Sequence, residues 1–106
     1  MHNKYSYRVI WSEEDQEYVG LVTEFPSLSW LSKSQESAFN GIIKLTKEVL
    51  ADMKKHGEPI PEPLSSKTYS GKFMVRVTPE VHCRLAIGAR EAKVSLNRFV
   101  SAKLAA

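Results

Sequence analysis

Three prolines alternate in Gly57-Glu58-Pro59-Ile60-Pro61-Glu62-Pro63-Leu64-Ser65-Ser66, and this stretch constrains the fold more than any other. Each proline fixes φ near −65° and lacks an amide proton, so no helix interior or central strand can run through it. The stretch is a semi-rigid spacer with polyproline II character. It divides a chain of 106 residues into two segments, each of which has difficulty burying a core alone. Cys83 is the one cysteine, so neither an internal disulfide nor a cysteine-based zinc site can staple either segment. Small units without staples rely on a partner chain.

The net charge of +3 conceals a split at this spacer. Residues 1–66 carry seven basic side chains against ten acidic ones, a balance of −3, whereas residues 67–106 carry eight against two, a balance of +6. The asymmetry points to two surfaces for different partners, the basic one a candidate nucleic-acid face. With 42% apolar residues the chain is expected to fold. No run of ~18 uncharged apolar residues is present, and Met1-His2-Asn3-Lys4 leads straight into an alternating pattern, so a cytoplasmic protein without a membrane span is expected.

In the first segment Tyr5, Tyr7, Val9 and Trp11 alternate with Ser6, Arg8 and Ile10, the period of a half-buried strand. Ser12 to Glu17 is a polar, acidic hairpin tip, and a second strand resumes from Tyr18 with Val19, Leu21 and Thr23 on one face, ending at Pro26. Leu28 to Leu31 is a short third strand. Ser34 caps a helix whose apolar stripe is Phe39, Ile42, Ile43, Val49, Leu50 and Met53, with Gly57 as its stop. The expected unit is a three-stranded antiparallel meander covered by one helix.

The second segment opens with Lys72-Phe73-Met74-Val75-Arg76-Val77, which predicts a lone strand with Phe73, Val75 and Val77 on one side and Lys72, Met74 and Arg76 on the other. Thr78-Pro79-Glu80 starts a helix carrying Val81, Leu85, Gly88, Ala89 and Ala92 on one face. Ser95 caps a second helix with Leu96, Phe99, Val100 and Leu104 as its stripe. A lone strand leaves both edges unpaired. Antiparallel pairing with the same strand of a second chain about a two-fold axis satisfies the ladder and closes a shared core of Phe73, Val75, Val77, Leu85 and Phe99. Lys72, Met74 and Arg76 then project from a two-stranded ribbon of the kind that enters the DNA major groove. The amides of Leu96 and Asn97, beside the Ser95 hydroxyl, suit a phosphate.

From Gly71 to His82, with Val94-Ser95-Leu96-Asn97 following, the residues resemble the ribbon-helix-helix DNA-binding fold. The first segment resembles the N-terminal domain of HicB antitoxins. The likeness lies in Trp11 before an acidic tip, Tyr18-Val19-Gly20, Phe25-Pro26-Ser27-Leu28, the capped helix around Ser34 to Phe39, and Gly57-Glu58-Pro59-Ile60-Pro61. The resemblance implies an antitoxin of a type II toxin–antitoxin pair. Its N-terminal domain, a partial RNase H-like fold without nuclease activity, would block a HicA-type toxin, a small basic mRNA interferase. Its C-terminal domain would dimerise and repress the shared operon. Lys72, Met74 and Arg76 match the base-reading strand positions, and Ser95, Leu96 and Asn97 the phosphate-contacting helix start. Two positions depart from the family pattern. Met74 is apolar where a polar residue is frequent, and Lys93 stands where many members have glycine, so Lys93 must bear any left-handed conformation at about 1 kcal/mol relative to glycine.

Complementary charge favours encounter with a basic toxin, and Glu13, Glu14, Asp15, Glu17 and Glu24 are the candidate contacts. A solvated hairpin tip explains the first four equally well. Two-metal nuclease chemistry needs converging carboxylates, yet the first strand holds no acid, so no catalytic residue, metal or cofactor is expected and the chain is read as not an enzyme. His2, His56 and His82 lack ligand spacing, and Cys83 beside His82 points about 100° away on a helix. Trp11 and Trp30 are expected in core packing. The expectation is α+β: residues 1–57 a toxin-binding domain, 58–69 a linker, and 70–106 a ribbon-helix-helix domain that binds DNA and dimerises. Partners are a HicA-type toxin, double-stranded operator DNA and a second copy of the chain, with a tetramer left open. The competing reading is a stand-alone ribbon-helix-helix regulator whose first domain senses a ligand or oligomerises.

Overall fold

The computed structural model describes residues 2–106 and separates into two compact units, one ending at Tyr69 and the other spanning Ser70–Ala106. The fold is α+β, with a three-stranded antiparallel sheet followed by helices. In unit 1 a 3-10 turn at His2–Lys4 precedes β1 (Tyr7–Ser12), β2 (Glu17–Val22), β3 (Ser29–Ser32) and α1 (Gln35–Lys55), and the sheet order is β1-β2-β3. The register sets Tyr7 opposite Val22, Val9 opposite Gly20, Trp11 opposite Tyr18, and Gly20 opposite Trp30. Because side chains alternate across a strand, these residues share the face that α1 covers.

Glycine decides which face the helix takes. A Cβ on Gly20 would strike the Ala38 carbonyl and the Ile42 side chain, and a Cβ on Gly41 would strike the Trp30 ring. The helix therefore descends onto Gly20, while Trp30 lies against Gly41. Ile42 and Ala38 are fully buried at this contact, and the core continues through Val22, Leu50, Tyr5 and Phe25. Tyr5 and Phe25 meet edge to face, 5.2 Å between ring centres. Full burial of a side chain such as Ile42 is worth about 1.5–3 kcal/mol. Thr46, also fully buried, satisfies its hydroxyl by donating to the Ile42 carbonyl at 2.8 Å.

Three sequence readings are completed or changed here. Val19 and Leu21 point away from α1, on the open face with Arg8, Ile10 and Leu31, and Thr23 lies beyond the end of β2. Both faces of β1 and β2 carry apolar residues, so alternation alone does not orient them. Phe39 is exposed rather than buried, packed edge-on against Tyr7 at 6.3 Å. Trp11 and Trp30 are also exposed, at 46% and 40%. Trp11 stacks edge-on with Tyr18 and donates its Nε1 proton to Glu13 at 2.7 Å, so the indole is a surface group with a satisfied polar end.

Ser34 caps α1, its Oγ accepting from Ser37 N at 3.1 Å. At the other end Glu58 N donates to the Met53 carbonyl and Gly57 N to that of Lys54, with Gly57 at φ 67°. This is a Schellman stop with glycine in the left-handed position.

The proline stretch, expected as a linker, is packed on unit 1. Tyr5 Oη donates to the Pro61 carbonyl at 2.6 Å, Leu64 N donates to Glu24 Oε2 at 2.9 Å, and Ser65 Oγ donates to the Lys4 carbonyl at 2.7 Å. Ile60 packs against the core and Pro63 is buried. A proline-rich segment has little conformational entropy to lose, so a few contacts suffice to hold it.

Unit 2 holds α2 (Pro79–Glu91) and α3 (Leu96–Leu104). Thr78 Oγ1 accepts from Val81 N at 3.3 Å, and Pro79 occupies the first turn. The same Schellman pattern ends α2: Val94 N donates to the Ala89 carbonyl, Lys93 N to that of Arg90, and Lys93 sits at φ 58°. A Cβ on Gly88 would lie 2.6 Å from Phe99 Cζ, so glycine permits the close crossing of the two helices. The lone strand expected at 72–77 is not a strand within the chain. Among the described residues the backbone groups of 73–77 have no hydrogen-bond partner, for the physical reason that a ladder needs a second strand and unit 2 contains none. No helix among the described residues is long and apolar enough to cross a membrane.

Candidate nucleic-acid and partner interfaces

Unit 2 presents its apolar residues outward. Phe73 is 77% exposed, Val75 60% and Val77 48%, while Leu85 and Phe99 are half-buried and Ala89 is the buried residue. Val75 and Val77 border a groove of about 360 Å³ with Leu85, Leu96, Val100 and Leu104. The five residues expected to form a shared core thus lie on one unit, with Phe73 and Val75 mostly in water and Val77 about half so. A soluble domain seldom leaves such a contiguous patch uncovered.

Lys72, Met74 and Arg76 alternate with these apolar residues and are exposed, Met74 at 84%. Among the described residues no acid pairs with either cation. At the start of α3, Ser95 Oγ accepts from Arg98 N at 3.1 Å. That bond uses the hydroxyl's acceptor side and leaves its proton free. Leu96 N and Asn97 N have no acceptor among the described residues, as the first amides of a helix do not. Unit 2 carries seven basic side chains against Glu80 and Glu91, a balance of +5.

The acidic candidates in unit 1 separate into three environments. Glu14 is exposed on the hairpin tip, where Glu13 accepts from Trp11 and Gln16, and Asp15 Oδ2 accepts from Ser12 Oγ. These two hydrogen bonds hold the Glu13 carboxyl below its ordinary value. Glu17 is half-buried and paired with Lys33 at 3.2 Å. Glu24 is fully engaged inside the unit: Oε1 accepts from Ser6 N at 2.9 Å, and Oε2 accepts from Ser6 Oγ and from Leu64 N. Burial pushes the Glu24 carboxyl up, but the donors around it, Leu64 N first and then Ser6 N, outweigh burial and hold it below the usual carboxylate range. The five acids therefore do not form one surface. Sequence gave no sign of the role of Glu24, because its partners Ser6 and Leu64 are distant along the chain. Among the described residues no three His, Cys, Asp or Glu side chains gather where a metal could sit.

Residues 56–104 match the model of the HicB family. The match takes in the proline stretch, the exposed segment 72–77, and all of α2 and α3, and leaves the sheet and most of α1 outside. Among curated proteins and among solved structures nothing matches the chain. Similarity to the HicB family is consistent with a toxin–antitoxin role and with a toxin partner.

Proposed function

We propose that the chain is an antitoxin that neutralises a HicA-type mRNA interferase toxin through unit 1 and, as a dimer, represses its own operon through unit 2. The observation that carries this reading is the segment 72–77, in which Phe73, Val75 and Val77 alternate with Lys72, Met74 and Arg76, unpaired in the chain and lying within the stretch that matches the HicB family. Two such segments paired antiparallel would cover Phe73, Val75 and Val77 beneath the helices and complete a ribbon-helix-helix domain. Lys72, Met74 and Arg76 of both chains would then face outward from a two-stranded ribbon.

Each outward group has a distinct use in a major groove. Arg76 can donate two parallel hydrogen bonds to guanine O6 and N7, and Lys72 can donate to either acceptor. Met74 offers only apolar contact, which suits a thymine methyl. The free amides of Leu96 and Asn97 and the Ser95 hydroxyl would hold a backbone phosphate, fixing register rather than reading sequence. In unit 1 the sheet and helix are read as a partial RNase H-like domain without nuclease function, whose acidic hairpin tip steers a basic toxin. Glu13, Glu14 and Asp15 remain on that surface, whereas Glu24 is assigned to holding the unit together.

The test is co-expression with the product of an adjacent gene for a small basic protein. That product alone should arrest growth and degrade mRNA, and this chain should bind it and restore growth. A purified chain that neither binds nor inhibits such a product removes the antitoxin role. A chain that binds operator DNA with no such neighbour returns the stand-alone regulator.

A further inference from the structure

We infer that residues 58–66 form a releasable strap, latched by the Glu24 carboxylate, that sets how much free chain lies between the two units. Composition alone makes this segment a spacer. In the structure three hydrogen bonds hold it, from anchors before β1 and after β2: the Tyr5 hydroxyl on Pro61, the Glu24 carboxylate on Leu64 N, and the Lys4 carbonyl on Ser65 Oγ. Glu24 is the centre of the latch, because the same carboxylate also takes Ser6 N and Ser6 Oγ at the start of β1. One side chain thus ties the end of β2, the approach to β1 and the strap. Burial, with Glu24 nearby, raises the Tyr5 phenol above its ordinary value, and its hydroxyl donates to the Pro61 carbonyl.

The strap is marginally held, which is what makes it releasable. Its apolar contribution comes mainly from Ile60 and Pro63, and Leu64 and Ser65 are exposed. A segment with few buried contacts and solvent-accessible hydrogen bonds opens locally at far less cost than the whole unit unfolds. Latched, the chain leaves unit 1 at Tyr69, and the joint is Ser70-Gly71, where Gly71 takes φ 84° with open space around its Cα. Two residues span roughly 7 Å, whereas residues 58–71 released together span up to roughly 45 Å. Opening the latch therefore changes reach several-fold without altering either unit, and the effective concentration of one unit about the other follows that reach. Glu24 acts here as a positioning residue.

The experiment uses the full chain. Spin labels on Cys83, which is exposed on α2, and on a second cysteine from Lys47→Cys on α1, diluted with excess unlabelled Cys83→Ser chain, report the distance between units. Amide exchange at Leu64 reports the latch itself. Glu24→Ala, and separately Tyr5→Phe with Ser65→Ala, are expected to speed Leu64 exchange at least tenfold, to leave α1 amides unchanged, and to spread the label distances to larger values. The second variant keeps the Ser6 contacts of Glu24, so it separates strap release from damage to the sheet. Unchanged Leu64 exchange or an unchanged distance distribution in both variants overturns the inference. So does a speeding of α1 amides in step with Leu64 in both, because the strap would then be part of the global fold.

Discussion

The two units solve the problem of a small core in opposite ways. Unit 1 closes its core within one chain: α1 settles onto Gly20, Ile42 is fully buried, and the proline strap covers one end through Tyr5 and Glu24. Unit 2 has equally well signed helices, each with a hydroxyl cap and a hydrogen-bonded stop, yet Phe73, Val75 and Val77 remain in water. Local signals of equal quality thus accompany a closed core in one case and an uncovered apolar face in the other. What differs is pairing. Three strands in unit 1 satisfy one another, and the single segment of unit 2 has nothing to pair with.

The largest effects should separate these two modes of closure. Phe73→Ala is expected to weaken the dimer by about 3–5 kcal/mol, the range for removing a fully buried ring, and unfolding of unit 2 should become steeply dependent on protein concentration in sedimentation and thermal melts. A variant that stays dimeric and stable would show that this segment is not the shared core. Ile42→Ala in unit 1 should cost about 2–5 kcal/mol, and here the loss should be independent of concentration. A concentration-dependent loss would erase the distinction between the units. Arg76→Ala should leave both folds intact and weaken operator binding by about 1–3 kcal/mol at fixed salt, with toxin binding unchanged. Unchanged operator affinity would remove the strand face as the reader.

Smaller effects sharpen the comparison at matched positions. Gly57 and Lys93 do the same work, taking φ 67° and 58° at the Schellman stops of α1 and α2. Lys93→Gly should stabilise unit 2 by up to about 1 kcal/mol in thermal unfolding, since lysine bears a left-handed penalty that glycine does not. A destabilised variant would mean that the lysine side chain contributes more than the backbone costs. The strap adds a pH dependence to unit 1 alone. The Glu24 carboxyl is lower in the folded chain than its ordinary value, so its contribution is present above about pH 4.3 and is lost as pH falls through the folded value. Leu64 amide exchange, corrected for its intrinsic pH dependence, should show that loss before α1 amides do.

Much of the local structure was legible in the residues. Ser34, Thr78 and Ser95 marked helix starts, Gly57 a stop, and the acidic run from Ser12 to Glu17 a hairpin tip, because caps and turns are decided by neighbours in sequence. The left-handed turn at Lys93 was legible only through the family resemblance, in which glycine is frequent at this position. The orientation of the sheet was not. Val19 and Leu21 are as apolar as Tyr18 and Val22, and only the approach of Ala38 and Ile42 to Gly20 shows which side is inside. Trp11 and Trp30 misled for a related reason, since a large aromatic ring serves a surface pair or a glycine notch as readily as a core.

The candidate interfaces follow the same division. Alternation alone sets the expectation that Lys72, Met74 and Arg76 face away from Phe73, Val75 and Val77, and composition alone separates a basic unit from an acidic one. Those features depend on the order of residues along the chain, which is all that a sequence contains. The use of Glu24 and the fate of the proline stretch were decided only by tertiary structure. Glu24 meets Ser6 and Leu64, and Tyr5 meets Pro61, across separations along the chain that no local pattern encodes. A proline-rich segment has the same composition whether it hangs free or is latched; the difference lies in whether folding brings a hydroxyl and a carboxylate to its backbone.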